Sequence, residues 1–336
     1  MRTFMFAGLG AVFSCSALAY DRIPAEDGFS GSVFIGAGAY SMETNTLASV
    51  MGTDVSDERL DSLTDSPDSE DFSRLLLDAN LSYTFAGSRT QVFGVTEMED
   101  FLTLDSTLGL GVRQGLGSLG NLQISLLAST PSEVWEDPYR VGADRQETDR
   151  SGGGLRLGWE HILESDFDLT YTSRSIDIDD ELSGTAPALG LSPAQRRLLD
   201  REGDLNKLSF SYRWEPSADH VIVPSLSAID YDLDGDAMAM DGYQLELAYI
   251  YRGMERWEFM ANMLGGSLES DDTNPIYDRK QDLDRMGVTL AATYKEPFDL
   301  RDWSLRASVV YGEEDSNIDF YDTSIRGITV GMLYSF

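Results

Sequence analysis

Cysteine and histidine are nearly missing from this sequence, which contains one cysteine and two histidines in 336 residues. A single cysteine excludes a scaffold held together by disulfides. The two histidines, His161 and His220, leave few groups for general-base catalysis or for nitrogen ligation of a metal. No Ser-His-acid trio can be assigned from the spacing, so the sequence predicts a protein that is not an enzyme.

Basic residues are also scarce, with 25 Lys and Arg against 58 Asp and Glu and a formal charge of −33. Such a polyanion repels phosphate backbones, and this excludes a nucleic-acid binder. The chain is nevertheless 42% hydrophobic and 10% aromatic, enough apolar surface to predict a folded protein.

Long apolar runs occur only at the start of the chain. Residues 1–19 combine Arg2, an apolar stretch and the small-residue end Ala17-Leu18-Ala19, the layout of a signal peptide cleaved before Tyr20 after Sec export. Cys15 is an alternative acceptor for a lipid anchor. Downstream no run approaches the ~18 apolar residues of a membrane helix. A membrane protein of this sequence would therefore cross with strands.

Apolar and polar side chains alternate along many segments. One example has apolar side chains at Tyr243, Leu245, Leu247, Tyr249 and Tyr251, with mostly polar residues between them. Period two is the pattern of a strand with one apolar face. Fourteen such strands can be placed between Phe29 and Phe336.

The connections between these strands alternate in length. The six short ones lie at 86–89, 115–120, 163–166, 215–219, 252–256 and 296–302; the seven long ones lie at 42–73, 96–105, 130–153, 179–204, 230–241, 265–284 and 312–322. Short turns on one side and long loops on the other are typical of an outer-membrane barrel. The sequence thus predicts an all-β, antiparallel, up-and-down transmembrane barrel over residues 29–336, preceded by a short periplasmic segment at 20–28.

Four tryptophans lie at strand ends beside short turns. They are Trp159, Trp214, Trp257 and Trp303. Aromatic rings at one level form the interfacial girdle of a membrane barrel, and Tyr40, Tyr243 and Tyr311 could form the opposite girdle. The alternative, a soluble β-sandwich, would place its aromatics in a core.

Two further features resemble known proteins. The last strand, with Tyr334 two residues before the terminal Phe336, resembles the signature by which the outer-membrane assembly machinery recognises barrels, which implies that partner. The segments Gly28-Phe29-Ser30-Gly31, Trp135-Glu136-Asp137-Pro138-Tyr139, Thr148-Asp149 and Ser151-Gly152 resemble a family of marine bacterial outer-membrane proteins, the domain of unknown function DUF2860. That resemblance implies a Gram-negative outer-membrane location and supplies no site residues.

The inward face of such a barrel would carry charges of both signs. By parity, the lining positions are Arg113, Arg156, Arg174, Lys207, Arg213 and Arg306, with Asp78, Glu160, Asp168, Glu246 and Glu258. These groups either line a hydrophilic channel or form an ion-pair network that fills the barrel.

The remaining acidic residues concentrate in the long loops. They either form a solvated surface or bridge to lipopolysaccharide through divalent cations. One segment has the ligand order of a calcium loop, with Asp230, Asp232, Asp234, Asp236 and Asp241 at positions 1, 3, 5, 7 and 12 and Gly235 at position 6. The alternative for this segment is an ordinary hairpin turn. Ser192 and Pro193 predict a short capped helix, in the mouth or on the rim.

Two functions remain open. The first is a passive, porin-like channel for small hydrophilic solutes. The second is a non-conducting barrel whose acidic loops bind divalent cations, lipopolysaccharide or an external ligand.

Overall fold

The computed structural model describes residues 22–336. The predicted signal peptide, residues 1–19, lies outside the described residues. In the part described, no helix is both long and apolar enough to cross a bilayer.

Strands dominate the described chain. The first ten are β1 (Gly28–Glu43), β2 (Leu47–Val50), β3 (Thr53–Asp54), β4 (Ser69–Phe85), β5 (Thr90–Asp100), β6 (Asp105–Gly115), β7 (Asn121–Ser129), β8 (Ser132–Trp135), β9 (Glu147–Ser151) and β10 (Gly153–Glu160). The others are β11 (Phe167–Ile178), β12 (Gly203–Tyr212), β13 (Trp214–Ser217), β14 (His220–Leu233), β15 (Met240–Tyr251), β16 (Trp257–Ser270), β17 (Asp282–Lys295), β18 (Trp303–Ser316) and β19 (Thr323–Ser335).

Helical structure is confined to connections. One short α-helix, α1, spans Pro193–Arg197, and single 3₁₀ turns span Ala86–Ser88, Gly117–Leu119, Ile162–Glu164, Pro187–Leu189, Pro297–Asp299 and Asp319–Tyr321.

Fourteen strands close into an antiparallel barrel. These are all the strands except β2, β3, β8, β9 and β13. Closure is made by β1 against β19, from Ser32 opposite Ser335 to Glu43 opposite Ser324. The predicted fold class and strand number are confirmed.

Apolar side chains face outward on the barrel strands, as the alternation predicts. On β15, Tyr243, Leu245 and Leu247 are all exposed on the outer surface, whereas Gln244 and Ala248, on the opposite parity, are buried. A closed cylinder with an apolar exterior is the architecture that a bilayer requires of strands, because closure pairs their backbone groups; here the edge of β4 at residues 69–79 is an exception.

A second, small sheet lies over the mouth formed by the long loops. In it β3 pairs with β2, β2 with β8, β8 with β9, and β9 with the upper end of β11. The loops at this end are therefore folded together and anchored to the barrel wall.

The predicted long loop at 96–105 is wrong. β5 continues to Asp100 and β6 begins at Asp105, so only a four-residue turn, 101–104, connects them. Residues 97, 99 and 100 are acidic, a composition typical of a polar loop. In the structure they belong to a strand pair that bends into the barrel.

Candidate functional site

The turn between β5 and β6 lies inside the barrel. Phe101 and Leu102 are buried, and a Cβ atom on Gly287 or Gly312, on the opposing strands β17 and β18, would collide with their side chains. The turn therefore packs against a wall from which glycines have removed the side chains. We name residues 97–105 the lumen hairpin.

Carboxylates of the lumen hairpin pair with arginines on the strands that follow β7. The Arg156 guanidinium on β10 contacts Glu97 and lies 2.6 Å from Glu99, from Nη2 to Oε1. Arg174 on β11 pairs with Asp105, with Nη1 donating to Oδ1 at 3.3 Å. The predicted lining residues Arg156 and Arg174 thus hold the hairpin.

A third arginine holds the tip from the other side of the lumen. Arg285 on β17 contacts Asp100 and lies 2.8 Å from Glu314 on β18, from Nε to Oε1. Arg285 is buried and also donates to Gln244 at 3.2 Å. Strands on two sides of the lumen are therefore tied to one hairpin.

A separate ion pair fills the lumen nearer the short turns. Arg113 and Glu160 are 1% and 2% exposed, and Arg113 Nε donates to both Glu160 oxygens at 3.0 and 2.9 Å. Gln91 accepts from Arg113 Nη1 at 3.0 Å, and Asn121 donates to Glu160 at 3.4 Å. This pair belongs to a hydrogen-bonded network, as burial of two charges demands.

The other predicted lining residues have local partners. Lys207 lies 3.9 Å from Glu246, Glu258 lies 3.2 Å from Lys295, and Arg213 lies 2.6 Å from Glu215 in the adjacent turn. Arg306 donates to Thr293 at 3.2 Å, and the Asp168 carboxylate accepts the His161 backbone N–H at 2.7 Å. Asp78 lies on the inward face of β4, where its carboxylate interacts with Arg74 and Arg306. Only Arg113, Glu160, Arg156 and Arg174 therefore belong to the central charged clusters.

Six of the ten charged residues in these clusters are not among the predicted lining positions: Arg285, Glu314, Glu97, Glu99, Asp100 and Asp105. Arg285 lies on the inward parity of β17, one position before the apolar set that starts at Met286, so alternation could have found it. Glu97, Glu99, Asp100 and Asp105 could not be found, since they were placed in a surface loop.

A cavity remains beside the lumen hairpin. It has a volume of ≈ 20 Å³, and its lining includes the cations Arg174, Lys207 and Arg285 together with Asp100 and Asp105. A polar space of mixed charge, large enough for about one water molecule, is therefore left between the hairpin and the wall.

Two apolar clusters of loop residues close the mouth above the hairpin. The first contains Met42, Val55 and Val134 and packs on Phe101 and Leu102. The second is centred on the ring-to-ring contacts of Tyr139, Phe320 and Tyr321. We call these loops with their small sheet the lid.

The motif Trp135–Tyr139 organises the lid. Trp135 is fully buried and donates through Nε1 to Ser56 at 3.2 Å, while the Arg145 guanidinium lies 4.3 Å from the centre of its ring. The Asp137 carboxylate accepts backbone N–H groups of Gly184 at 3.0 Å and Ala186 at 2.7 Å. These residues join two loops that lie far apart in sequence.

The predicted capped helix is present as α1 and belongs to the lid. The Ser192 hydroxyl accepts the Gln195 backbone N–H, and the Gln195 side chain accepts the Ser192 N–H, which forms a capping box. Leu191 and Leu199, on either side of the helix, are buried in the second apolar cluster.

The calcium prediction is wrong. β14 runs on through Asp230 and Asp232 to Leu233, so these carboxylates point outward from a strand instead of converging in a loop. Asp234, Asp236 and Asp241 are also exposed, and in residues 22–336 no group of three His, Cys, Asp or Glu is arranged to hold a metal. Asp234 and Gly235 come directly after the end of β14.

Aromatic side chains face outward at both ends of the barrel strands. Trp159, Trp214, Trp257 and Trp303 lie on outward-facing positions beside the short turns; Trp257 stacks on Phe259 at 5.8 Å and Trp303 packs on Tyr334 at 5.1 Å. Tyr243 and Tyr311 face outward at the other end. Tyr40 does not: it is 7% exposed, faces inward and stacks on Phe72 at 5.3 Å, because it belongs to the inward parity of β1.

Neither histidine is bonded to a serine in the described structure. His220 Nδ1 lies 2.7 Å from the Tyr249 hydroxyl, and both ring nitrogens of His161 are buried without a hydrogen-bond partner. The two rings lie beside different short turns.

Solved structures of outer-membrane proteins have similar shapes. A FadL homologue from Pseudomonas aeruginosa aligns over 98% of this chain and 96% of its own, with 12% identity and a TM-score of 0.46. The outer membrane channel DcaP of Acinetobacter baumannii aligns over 98% and 100%, with 10% identity and a TM-score of 0.44. An anion-selective porin from Comamonas acidovorans aligns over 93% and 99%, with 10% identity and a TM-score of 0.39.

Among curated proteins, none matches this sequence significantly. A family model, in contrast, matches residues 28–335, which is the whole barrel with its lid. The chain belongs to the family described as protein of unknown function DUF2860.

Proposed function

We propose that this outer-membrane barrel is a passive channel for small hydrophilic solutes that is closed at rest by the lumen hairpin and the lid. The observation that carries this proposal is the position of the hairpin, whose turn crosses a polar lumen and is held there by Arg156, Arg174 and Arg285. Charged contacts of this kind can exchange for water at small net cost, so the packing of Phe101 and Leu102 against β17 and β18 is what displacement of the turn has to overcome.

The polar cavity beside the hairpin supports the same function. Displacement of the turn would join the space lined by Arg174, Lys207 and Arg285 to the polar region around Arg113. The lining charges of both signs favour polar solutes over apolar ones and suggest weak ion selectivity.

Single-channel recording in planar bilayers tests the proposal. We expect brief, small openings of the wild-type barrel and more frequent, larger openings of Asp100→Ala. This change frees the hairpin tip, while Arg285 keeps Glu314 as its counter-ion, so no buried charge is left alone. Asp61→Ala, which removes an exposed carboxylate in a loop, is the matched control and should behave as wild type.

Fixing the hairpin to the barrel wall should close the channel. The mature chain from residue 20 has no cysteine, so Leu102→Cys with Gly312→Cys introduces one pair of thiols where the hairpin meets β18. Crosslinking them should abolish the current and reduction should restore it. If folded wild type and Asp100→Ala both pass no current, the channel is refuted.

The second candidate is a non-conducting barrel with an acidic rim for divalent cations, lipopolysaccharide or an external ligand. It is favoured by the row of outward carboxylates in which Asp230 faces Asp241, Asp241 faces Glu269 and Glu269 faces Asp282 across neighbouring strands. Like charges directly opposite each other repel, and cations from the lipopolysaccharide layer would relieve this repulsion. With either function, the barrel assembly machinery would recognise Tyr334 and Phe336 when it inserts the protein.

A further inference from the structure

The barrel wall has a gap between β4 and β5. β4 pairs with β1 along its whole length, from Thr84 to Ser69. With β5 it pairs only from Phe85 to Asn80. Beyond that point β5 turns into the lumen with β6, and the last contact is the Thr96 hydroxyl, which accepts the Ala79 N–H at 3.0 Å.

The edge of β4 above this point has no neighbouring strand. In the described chain, nothing pairs with residues 69–79 on the side away from β1. The outward side chains are correspondingly bare: Leu75 is 87% and Leu77 is 70% exposed, against 45% for Leu81 in the paired part of the same strand. We call this edge and the space beside it the wall gap.

The wall gap lies at membrane depth. With a rise of ~3.3 Å per residue and a tilt of ~40°, Ala79 lies roughly 15 Å and Leu75 roughly 25 Å above Phe85 along the membrane normal. The apolar band of such barrels is ~25 Å tall. The unpaired edge therefore faces the outer half of the bilayer.

Unpaired backbone groups at this depth need a polar environment. Irregular backbone inside the hydrocarbon region is tolerated only where it is buried in protein or borders a water-filled space. Since no strand covers this edge, water must reach it from the lumen. The wall gap is thus a junction between the polar interior and the lipid chains.

The inner margin of the wall gap combines apolar side chains with two charged residues, Arg74 and Asp78, which lie four positions apart on the inward parity of β4. Phe72 and Leu76 lie on the inward parity of β4, and Phe34 and Val95 are buried on the two flanking strands. Between them, Arg74 has its Nε and Nη1 atoms buried without a hydrogen-bond partner. Its guanidinium lies 5.6 Å from the centre of the Tyr40 ring. The two guanidinium nitrogens that have no hydrogen-bond partner are suited to a further anionic group beside the Asp78 carboxylate.

We propose that the wall gap is a lateral portal that binds small organic anions with an apolar body and lets them pass between the lumen and the outer leaflet. The anionic group pairs with Arg74, and the apolar body lies among Phe72, Leu76 and Phe34. This route goes beyond the proposed channel because it bypasses the lid, and Arg74 takes no part in the contacts that hold the hairpin.

Binding of the probe 8-anilino-1-naphthalenesulfonate tests the portal. The mature protein is placed in phosphatidylcholine nanodiscs, whose lipid has no net charge, and the signal of empty nanodiscs is subtracted. We expect saturable binding that weakens about tenfold or more in Arg74→Ala, since hydrogen bonds to charged groups are stronger than those between neutral groups. Arg74→Lys should lose less. Arg59→Ala, at an exposed loop arginine, should bind as wild type. Equal binding by Arg74→Ala, or no saturable signal, overturns the proposal.

Thiol chemistry provides an independent readout. A bulky maleimide on Leu76→Cys, at the inner margin, should block binding of the probe, whereas the same label on Leu290→Cys, on a strand paired on both sides, should not. If Leu77→Cys forms disulfide-linked dimers in the membrane and Leu290→Cys does not, a second copy covers the edge and the portal is refuted. Conductance of Asp100→Ala is independent of these results, so each proposal can fail alone.

Discussion

Charged side chains in the lumen are held in place by the groups that they contact. Arg113, Arg156, Arg174 and Arg285 are all buried, and each contacts at least one carboxylate. The low dielectric of a barrel interior makes an isolated charge costly, so a lone arginine there would draw in water or a counter-ion. The paired arginines stabilise a closed state, whereas Arg74 has one carboxylate nearby, Asp78, and keeps two nitrogen atoms without a hydrogen-bond partner.

Breaking the pair of Arg113 and Glu160 should strongly destabilise the barrel. Glu160→Gln leaves the buried guanidinium without its counter-ion, and the loss of one partner of a buried pair costs about 3–5 kcal/mol in the free energy of unfolding. Urea unfolding of the barrel in lipid vesicles, followed by tryptophan fluorescence, measures this cost.

Two further variants serve as comparisons for that measurement. Glu215→Gln removes the counter-ion of the more exposed pair with Arg213 and should cost less than about 1 kcal/mol. The double change Arg113→Met with Glu160→Leu should cost less than Glu160→Gln alone, because no charge is left unpaired. If Glu160→Gln unfolds like Glu215→Gln, the buried pair is not what holds this part of the lumen.

Alternation predicted which residues face inward but not which residues meet. Arg113 and Glu160 lie on strands that are not neighbours, since β7 separates β6 from β10. Their contact depends on the curvature of the closed wall, which a pattern of period two does not contain. Tyr40 shows the opposite error: an aromatic ring suggested a membrane interface, although its parity placed it inside.

The elements that the sequence did not reveal are the lid and the lumen hairpin. Barrel strands are recognisable because lipid imposes alternation on them, whereas loops that pack on each other have no such constraint. The hairpin combines strand geometry with acidic side chains that pair across the lumen, so its sequence resembles that of an exposed loop.

The tyrosines of the lid should make it sensitive to alkali. Burial raises the pKa of Tyr139 to about 12 and also raises that of Tyr321, whose hydroxyl lies 2.6 Å from the Tyr139 hydroxyl. In the unfolded chain both ionise near pH 10. The folded lid therefore retains its full stability below pH 10 and loses it as the pH rises towards 12, since the unfolded state binds fewer protons there.

Tyrosinate absorbance during a pH titration measures this effect. The folded protein should show a group of tyrosines that ionises above pH 11, and the protein unfolded in guanidinium should not. Tyr139→Phe removes one of them and should make this late step smaller. Ionisation of every tyrosine near pH 10 in the folded protein would contradict the buried arrangement.

The whole molecule is a cylinder between two solvents, and its two surfaces follow different rules. The outer surface is apolar because lipid surrounds it. The inner surface can carry charged groups because they pair with each other across a narrow lumen. The wall gap is the place where both rules meet: the strand edge of β4 is exposed on the lipid side and bordered by Arg74 inside.

The position of the cylinder in the bilayer can be measured through its tryptophans. Trp257 faces outward beside a short turn, whereas Trp135 is fully buried in the lid. In vesicles of brominated lipid, a variant that keeps only Trp257, with the other four tryptophans changed to Phe, should be quenched strongly by bromine near the head groups and weakly by bromine near the chain ends. A variant that keeps only Trp135 should be quenched by neither, because the lid lies above the hydrocarbon. Equal quenching of the two variants, or stronger quenching of Trp257 from the chain ends, would require a different membrane level for the barrel, and with it a different depth for the wall gap.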